Sequence, residues 1–71
     1  AQQRVHLVRH LVEQLPPRLR RVIVLCEFTD MSYEQVGEAL GIPAGTVGSR
    51  RNKALQLLRE AARKSKGGQA E

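Results

Sequence analysis

The segment that most constrains the fold is "YEQVGEALGIPAGTV", residues 33–47, in which three glycines stand at intervals of four residues, at positions 37, 41 and 45. Gly41 follows Val36 and Leu40, whose spacing is that of one helix face, and a glycine just past the last apolar residue is a common helix terminator. Gly37 falls inside the same helix, where glycine is about 1 kcal/mol less favourable than alanine. We therefore expect Gly37 to mark the point at which this short helix closely crosses the next one.

The rest of the chain also shows apolar residues at helical spacing and lacks a strand-like alternation of useful length. Pro16 and Pro17 separate two such stretches, because proline suits a first helical turn and not a helix interior. Ser32, with Gln35 three residues later, has the pattern of a capping box. The sequence predicts four helices, over about residues 3–14, 17–27, 32–40 and from 43 or 44 to about 63.

The predicted fold class is all-α: a four-helix domain ending in a helix-turn-helix, similar to the winged-helix DNA-binding class without a wing. We expect this domain to span residues 1–63 and residues 64–71, "KSKGGQAE", to form a flexible basic tail that contains glycine. Because the chain begins with Ala1 and not with methionine, we also expect it to be a piece of a longer protein.

The predicted core is drawn from apolar positions of all four helices. Its expected members are Val5, Val8, Leu11, Val12, Leu15, Leu19, Val22, Ile23, Leu25, Cys26, Phe28, Val36, Leu40, Ile42 and Val47. Cys26 is the single cysteine of the chain, so an internal disulfide is excluded and a small buried apolar role is expected for it.

The positive charge is concentrated in the second half of the chain, whose net charge overall is +5. Residues 1–42 carry five arginines and five acidic residues, whereas residues 43–66 carry seven lysines or arginines and one acidic residue, Glu60. A one-sided basic field is typical of a protein that binds a polyanion, most often nucleic acid. A solvated basic tail is the alternative that this distribution leaves open.

A short helix, a glycine turn and a longer helix form the helix-turn-helix pattern, although helical hairpins that do not bind DNA share it. On the outward face of the fourth helix, Ser49, Asn52 and Lys53 are candidates for contacting base edges. Asparagine can bond adenine through two hydrogen bonds, lysine can reach guanine acceptors, and serine is permissive. The candidates for phosphate contacts, which set register and not sequence, are Ser32, Tyr33, Thr46, Arg50 and Arg51.

Arg51 occupies an unusual position for a charged residue. At about 100° per residue from Val47, it falls near 40°, inside the apolar sector that Ala54 and Leu58 share. A lone buried arginine would be very unfavourable. We therefore expect Arg51 to extend outward or to pair with an acid, with a phosphate contact as the alternative. The acids expected as partners are Asp30, Glu34 and Glu38.

Residues 15–60, "LPPRLRRVIVLCEFTDMSYEQVGEALGIPAGTVGSRRNKALQLLRE", resemble region 4 of bacterial sigma factors, most closely those of the extracytoplasmic-function (ECF) group. The resemblance implies that the fourth helix enters the major groove of the −35 promoter element and that earlier helices contact the β flap of RNA polymerase. It also makes an anti-sigma factor a candidate partner. The single cysteine and the absence of a long apolar run lead us to expect a soluble, cytoplasmic domain. Arg18, Arg20 and Arg21 are then candidates for contacting the polymerase or the DNA backbone. Two positions depart from the family pattern, which usually has lysine or arginine at Gly48 and leucine or isoleucine at Arg51.

Other functions find little support in the sequence. There is no nucleophile–base pair, carboxylate dyad or phosphate-cradling glycine loop, so we expect neither an enzyme nor a cofactor. His6 and His10 stand four apart but lack an evident third metal ligand, and there is no apolar run long enough for a membrane span. Two alternatives remain: a DNA-binding domain of the LuxR type of response regulator, and a helix-turn-helix module that binds only polymerase or an anti-sigma factor.

Overall fold

Residues 2–70 form four α-helices: α1 (Gln2–Glu13), α2 (Pro17–Glu27), α3 (Tyr33–Leu40) and α4 (Ala44–Ala70). They are seen in a computed structural model that describes the backbone of residues 2–70 and the side chains of residues 7–64. No strand occurs between residues 2 and 70, so the predicted all-α class is confirmed. Within the described residues, no helix is both long enough and apolar enough to cross a membrane.

Local signals account for the helix boundaries. Pro17 is the first residue of α2, where a missing N–H leaves no helical hydrogen bond unmade. Ser32 and Gln35 form the predicted capping box at the start of α3: the Gln35 amide donates to Ser32 Oγ (3.1 Å), and the Ser32 amide donates to Gln35 Oε1 (2.8 Å). Gly41 follows α3 with a φ of 72°, the left-handed conformation expected for a glycine terminator.

Helix α4 extends beyond its predicted end. It continues to Ala70, whereas the sequence predicted an end near residue 63 and a tail over 64–71. The predicted helix end is therefore wrong: once a helix has formed, each further residue adds a backbone hydrogen bond, and the paired glycines at 67 and 68 do not stop it. The flexibility of residues 64–71 stays a prediction, and Glu71 lies outside the described residues.

Two apolar clusters, at successive positions along one face of α4, hold the helices together. The first joins α1, α2 and α4 through Val12, Leu15, Ile23 and Ala54, with Leu19, Leu55, Leu57 and Leu58 packed against it. The second joins α2, α3 and α4 through Val22, Val36 and Val47, with Leu25, Cys26, Met31, Leu40 and Ile42 packed against it. Helix α4 takes part in both clusters, so its orientation is fixed by contacts with the other three helices.

Two predicted core residues are exposed instead. Phe28 is 60% exposed, because at about 100° per residue it projects about 140° away from buried Ile23, toward the outer face of α2. Val8 is 45% exposed, because α1 enters the core through Val12, near its C-terminal end, and Leu15 continues this contact in the connection to α2. The side chain of Val5 lies outside the described residues.

Candidate nucleic-acid interface

The turn between α3 and α4 is held by a close backbone approach at Gly37. The Ile42 amide donates to the Gly37 carbonyl oxygen (2.9 Å). A Cβ on Gly37 would overlap the Ile42 carbonyl oxygen, at a separation that real Cβ atoms essentially never show. Gly37 therefore makes a close approach, as predicted, but to the backbone of the turn that leads into α4 and not to the body of that helix. The two helices form a helix-turn-helix whose turn leaves no room for a side chain at this position.

The face of α4 that points away from the core is polar and open. Ser49, Asn52 and Lys53 are all exposed on it, opposite buried Val47. Gly45 adds to this open character, since a Cβ at that position would have nothing within 4 Å. The structure thus brings the three predicted base-contacting residues together on one accessible helix face.

Thr46 and Arg50 lie at one edge of this face and are half-buried. Arg50 lines a surface cleft together with the start of α2, where Arg18 is a second lining residue. Two guanidinium groups therefore border one cleft at the side of α4. Such a pair supplies positive charge suited to contacts with phosphate oxygens.

The opposite edge of the face is formed by Tyr33. Its side chain is partly exposed and lies against Gly48, where an added Cβ would be 3.3 Å from Tyr33 Cε2. The capping box reduces the number of amides at the α3 N-terminus that could bind a phosphate, because the Ser32 and Gln35 amides already donate hydrogen bonds within it. Ser32 itself is exposed and keeps its hydroxyl proton for donation.

Arg51 pairs with Glu27, the last residue of α2. Arg51 Nε donates to Glu27 Oε2 (3.0 Å), and Arg51 Nη2 donates to Glu27 Oε1 (3.4 Å). The expected ion pair is therefore present with a different partner, since the sequence pointed to Asp30, Glu34 or Glu38. The reason is that the C-terminal end of α2 brings the Glu27 carboxylate to Arg51 on α4, whereas none of the three expected acids forms an ion pair with it in the described residues.

This ion pair affects the pKa of two side chains, Arg51 itself and Cys26. The hydrogen bond to Glu27 raises the pKa of Arg51, desolvation opposes this rise, and Tyr33 reinforces it. Partial burial raises the pKa of the Cys26 thiol, the charge of Arg51 lowers it, and the charge of Glu27 raises it. Cys26 is half-buried against the second core cluster, as a small apolar residue would be.

The sequence did not identify Glu27 as a partner of Arg51. One signal does mark it: an acidic residue at the C-terminal end of a helix opposes the helix dipole. A carboxylate in that unfavourable place suggests a partner elsewhere in the fold. The identity of the partner, 24 residues away, required the packing of α2 against α4.

The three arginines of α2 differ in their surroundings. Arg20 is half-buried and donates from Nη1 to the Glu13 carbonyl oxygen (3.0 Å), so it closes the C-terminal end of α1. Arg18 and Arg21 are exposed, and Arg21 shares the outer face of α2 with two partly exposed apolar side chains, Val24 and Phe28. Only Arg18 and Arg21 therefore keep guanidinium groups available on the α2 surface.

The two histidines of α1 are far from this interface. His10 is exposed and accepts a hydrogen bond from Gln14 Nε2 (2.9 Å), while the side chain of His6 lies outside the described residues. Across the part of the chain that the structure describes, no three histidine, cysteine or acidic side chains converge as metal ligands.

Comparison with known proteins supports the sequence resemblance. The family model of sigma-70 region 4 matches residues 6–58. The ECF RNA polymerase sigma factor SigE of Mycolicibacterium smegmatis is 43% identical over 49 residues, which are 69% of this chain and 19% of that protein. The RNA polymerase sigma-H factor of Pseudomonas aeruginosa is 44% identical over 62 residues, covering 76% of this chain and 32% of that protein. The ECF RNA polymerase sigma factor SigW of Bacillus subtilis is 36% identical over 53 residues, covering 75% of this chain and 28% of that protein.

The chain spans between about a fifth and a third of the length of these relatives. All three relatives are named as sigma factors, and none is named as an enzyme. No solved structure matches the chain significantly. The matched family replaces the alternative of a LuxR-type response regulator. With a family model that covers most of its length, the chain belongs to the sigma-70 region 4 family.

Proposed function

We propose that this chain recognises promoter DNA as region 4 of an ECF sigma factor, with the first half of α4 in the major groove of the −35 element. The observation that carries the proposal is the exposed face of Ser49, Asn52 and Lys53, presented by a helix-turn-helix with a fixed crossing. An α-helix fits the major groove of B-DNA, and small residues such as Gly45 allow its backbone a close approach. The names of the relatives support the same role.

The proposed interface contains two kinds of contact, to base edges and to phosphates. Ser49, Asn52 and Lys53 contact base edges and determine which sequence is preferred. Thr46 and Arg50, at the edge of the face, contact phosphates and hold the helix in register. Ser32 and Tyr33 add a phosphate contact from the start of α3, through the hydroxyl groups and the amides that the capping box leaves free.

The polymerase β flap docks on the outer surface of the first two helices in this proposal. That surface combines the exposed apolar side chains of Val24 and Phe28 with the guanidinium of Arg21. A partly apolar surface next to a basic group suits a protein partner more than DNA, because phosphates offer nothing for the phenyl ring to pack against. An anti-sigma factor is a second protein partner for the chain.

The division of contacts is tested by fluorescence anisotropy with a −35-like duplex and shuffled duplexes of equal composition. We expect Ser49→Ala with Lys53→Ala to change the order of preference among duplexes, and Arg50→Ala to weaken all duplexes by a similar factor. Arg63→Ala is the matched control, since Arg63 is exposed on α4 well beyond the proposed contact surface. Equal losses on all duplexes for both sets of variants would contradict the division into base and phosphate contacts.

A module that binds only protein is the second candidate. It is favoured by the engagement of Arg51 with Glu27, which removes one cation from the α4 surface, and by Gly48, which offers no side chain to DNA. Tight binding of a flap-tip peptide, lost in Phe28→Ala and accompanied by no duplex binding at low salt, would establish this candidate instead.

A further inference from the structure

Glu27 lies outside the helix-turn-helix and yet contacts the helix that we propose for DNA recognition. Its two carboxylate oxygens accept from two donors of Arg51, at 3.0 and 3.4 Å. The side chains are 28% exposed for Arg51 and 36% exposed for Glu27, so water and ions reach both. The geometry is that of a partly exposed ion pair which a competing anion can open.

This ion pair matters for DNA binding because of where Arg51 lies on α4. Arg51 follows Gly48 by three residues. The Tyr33 side chain that packs on Gly48 also lies close enough to Arg51 to raise its pKa. Arg51 therefore lies beside the Tyr33 edge of the proposed DNA-binding face, on the side nearer the core and about 100° around α4 from Arg50. Arg50 has no acidic partner among the ion pairs of residues 7–64, whereas Arg51 is neutralised by Glu27.

We propose that Glu27 limits the affinity of this domain for DNA by holding Arg51 away from phosphates. The inference rests on the proposed function, because it assigns the control of one phosphate contact at that same surface. A phosphate can reach Arg51 in the unmodified chain only by displacing a carboxylate that accepts two charge-assisted hydrogen bonds, whereas the side chain is free to extend to a phosphate once the carboxylate is gone. Glu27 would also repel any phosphate that approached Arg51 in the unmodified chain.

The size of the effect follows from counterion release. Each additional phosphate that a cation neutralises steepens the dependence of log K on log salt by about 0.9. If the contribution of the contact vanishes near about 1 M salt, this slope makes one further contact worth roughly a tenfold gain in affinity at about 50 mM salt. Because phosphates carry no sequence information, the gain applies to every duplex equally.

The test measures duplex affinity and its salt slope for Glu27→Gln, Arg51→Gln and the double variant. We expect Glu27→Gln to bind every duplex about tenfold more tightly at low salt, with the steeper slope given above. Arg51→Gln alone should change affinity little, and the double variant should return to the affinity of the unmodified chain. Glu13→Gln is the matched control, since it removes the same charge from an exposed residue that likewise ends a helix, α1, and that forms no ion pair with Arg51.

The outcomes separate this inference from the proposed function. If Arg50→Ala weakens binding but Glu27→Gln does not strengthen it, the domain binds DNA and the inference is wrong. The inference is also wrong if Arg51→Gln alone weakens binding as much as Arg50→Ala, because Arg51 then already contacts phosphate. If neither the unmodified chain nor Glu27→Gln binds any duplex at low salt, the proposed function fails together with the inference. Far-UV circular dichroism verifies folding, and Glu27→Ala serves in place of Glu27→Gln should that variant unfold.

Discussion

Gly37 is the residue whose replacement most directly probes the helix-turn-helix geometry. In Gly37→Ala the new methyl group would overlap the Ile42 carbonyl oxygen, and the same two residues share the hydrogen bond of the turn. The obstacle is backbone, so it cannot rotate away as a side chain could. Forced overpacking typically destabilises by about 1–3 kcal/mol, and an overlap this severe with backbone belongs to the upper part of that range, about 2–3 kcal/mol. Alanine in a helix recovers about 1 kcal/mol of this cost.

We expect Gly37→Ala to lower the free energy of unfolding by about 1–2 kcal/mol, which corresponds to a fall in Tm of roughly 4–16 °C for a domain of this size. Thermal unfolding followed by circular dichroism at 222 nm measures this change. Gly45→Ala is the control, because its Cβ meets nothing within 4 Å and alanine there should raise stability by up to about 1 kcal/mol. The close-crossing account is refuted if Gly37→Ala is as stable as the unmodified chain.

Two further predictions concern the start of α3 and the surroundings of Cys26. Ser32→Ala removes the capping hydroxyl and should lower the unfolding free energy by about 1 kcal/mol in urea titrations, and an unchanged midpoint would contradict the capping role. Arg51→Gln removes the charge that lowers the pKa of Cys26. The pKa should therefore rise and iodoacetamide should alkylate the thiol more slowly near neutral pH, whereas Arg50→Gln should leave that rate unchanged.

Signals within a few residues of each other predicted the helix boundaries well. The Ser32–Gln35 capping box, the Gly41 terminator and the start of α2 at Pro17 depend only on local backbone chemistry, and all three are present. The close contact at Gly37 was also predictable, because glycine is unfavourable inside a helix unless the lack of a side chain is needed there. The turn backbone at Ile42 supplies that need.

Features that depend on tertiary packing were predicted less well. Phe28 appeared apolar enough for the core, but its angle on α2 directs it outward, where no described element covers it. The partner of Arg51 was misassigned because helical periodicity places a residue on its own helix and says nothing about which neighbouring helix end lies beside it. The base and phosphate contacts stay predictions, since the structure establishes only that the residues share an accessible face.

The measurement that tests the central claim most directly is an amide chemical-shift titration of the ¹⁵N-labelled chain with a −35-like duplex at low salt. We predict that the largest shifts occur at the start of α4, over residues 45–53, with smaller shifts at the start of α3 around Ser32 and Tyr33. Shifts confined to α1 and the outer face of α2 around Phe28, or the absence of shifts along the first half of α4, would contradict the assignment of α4 as the DNA-recognition helix.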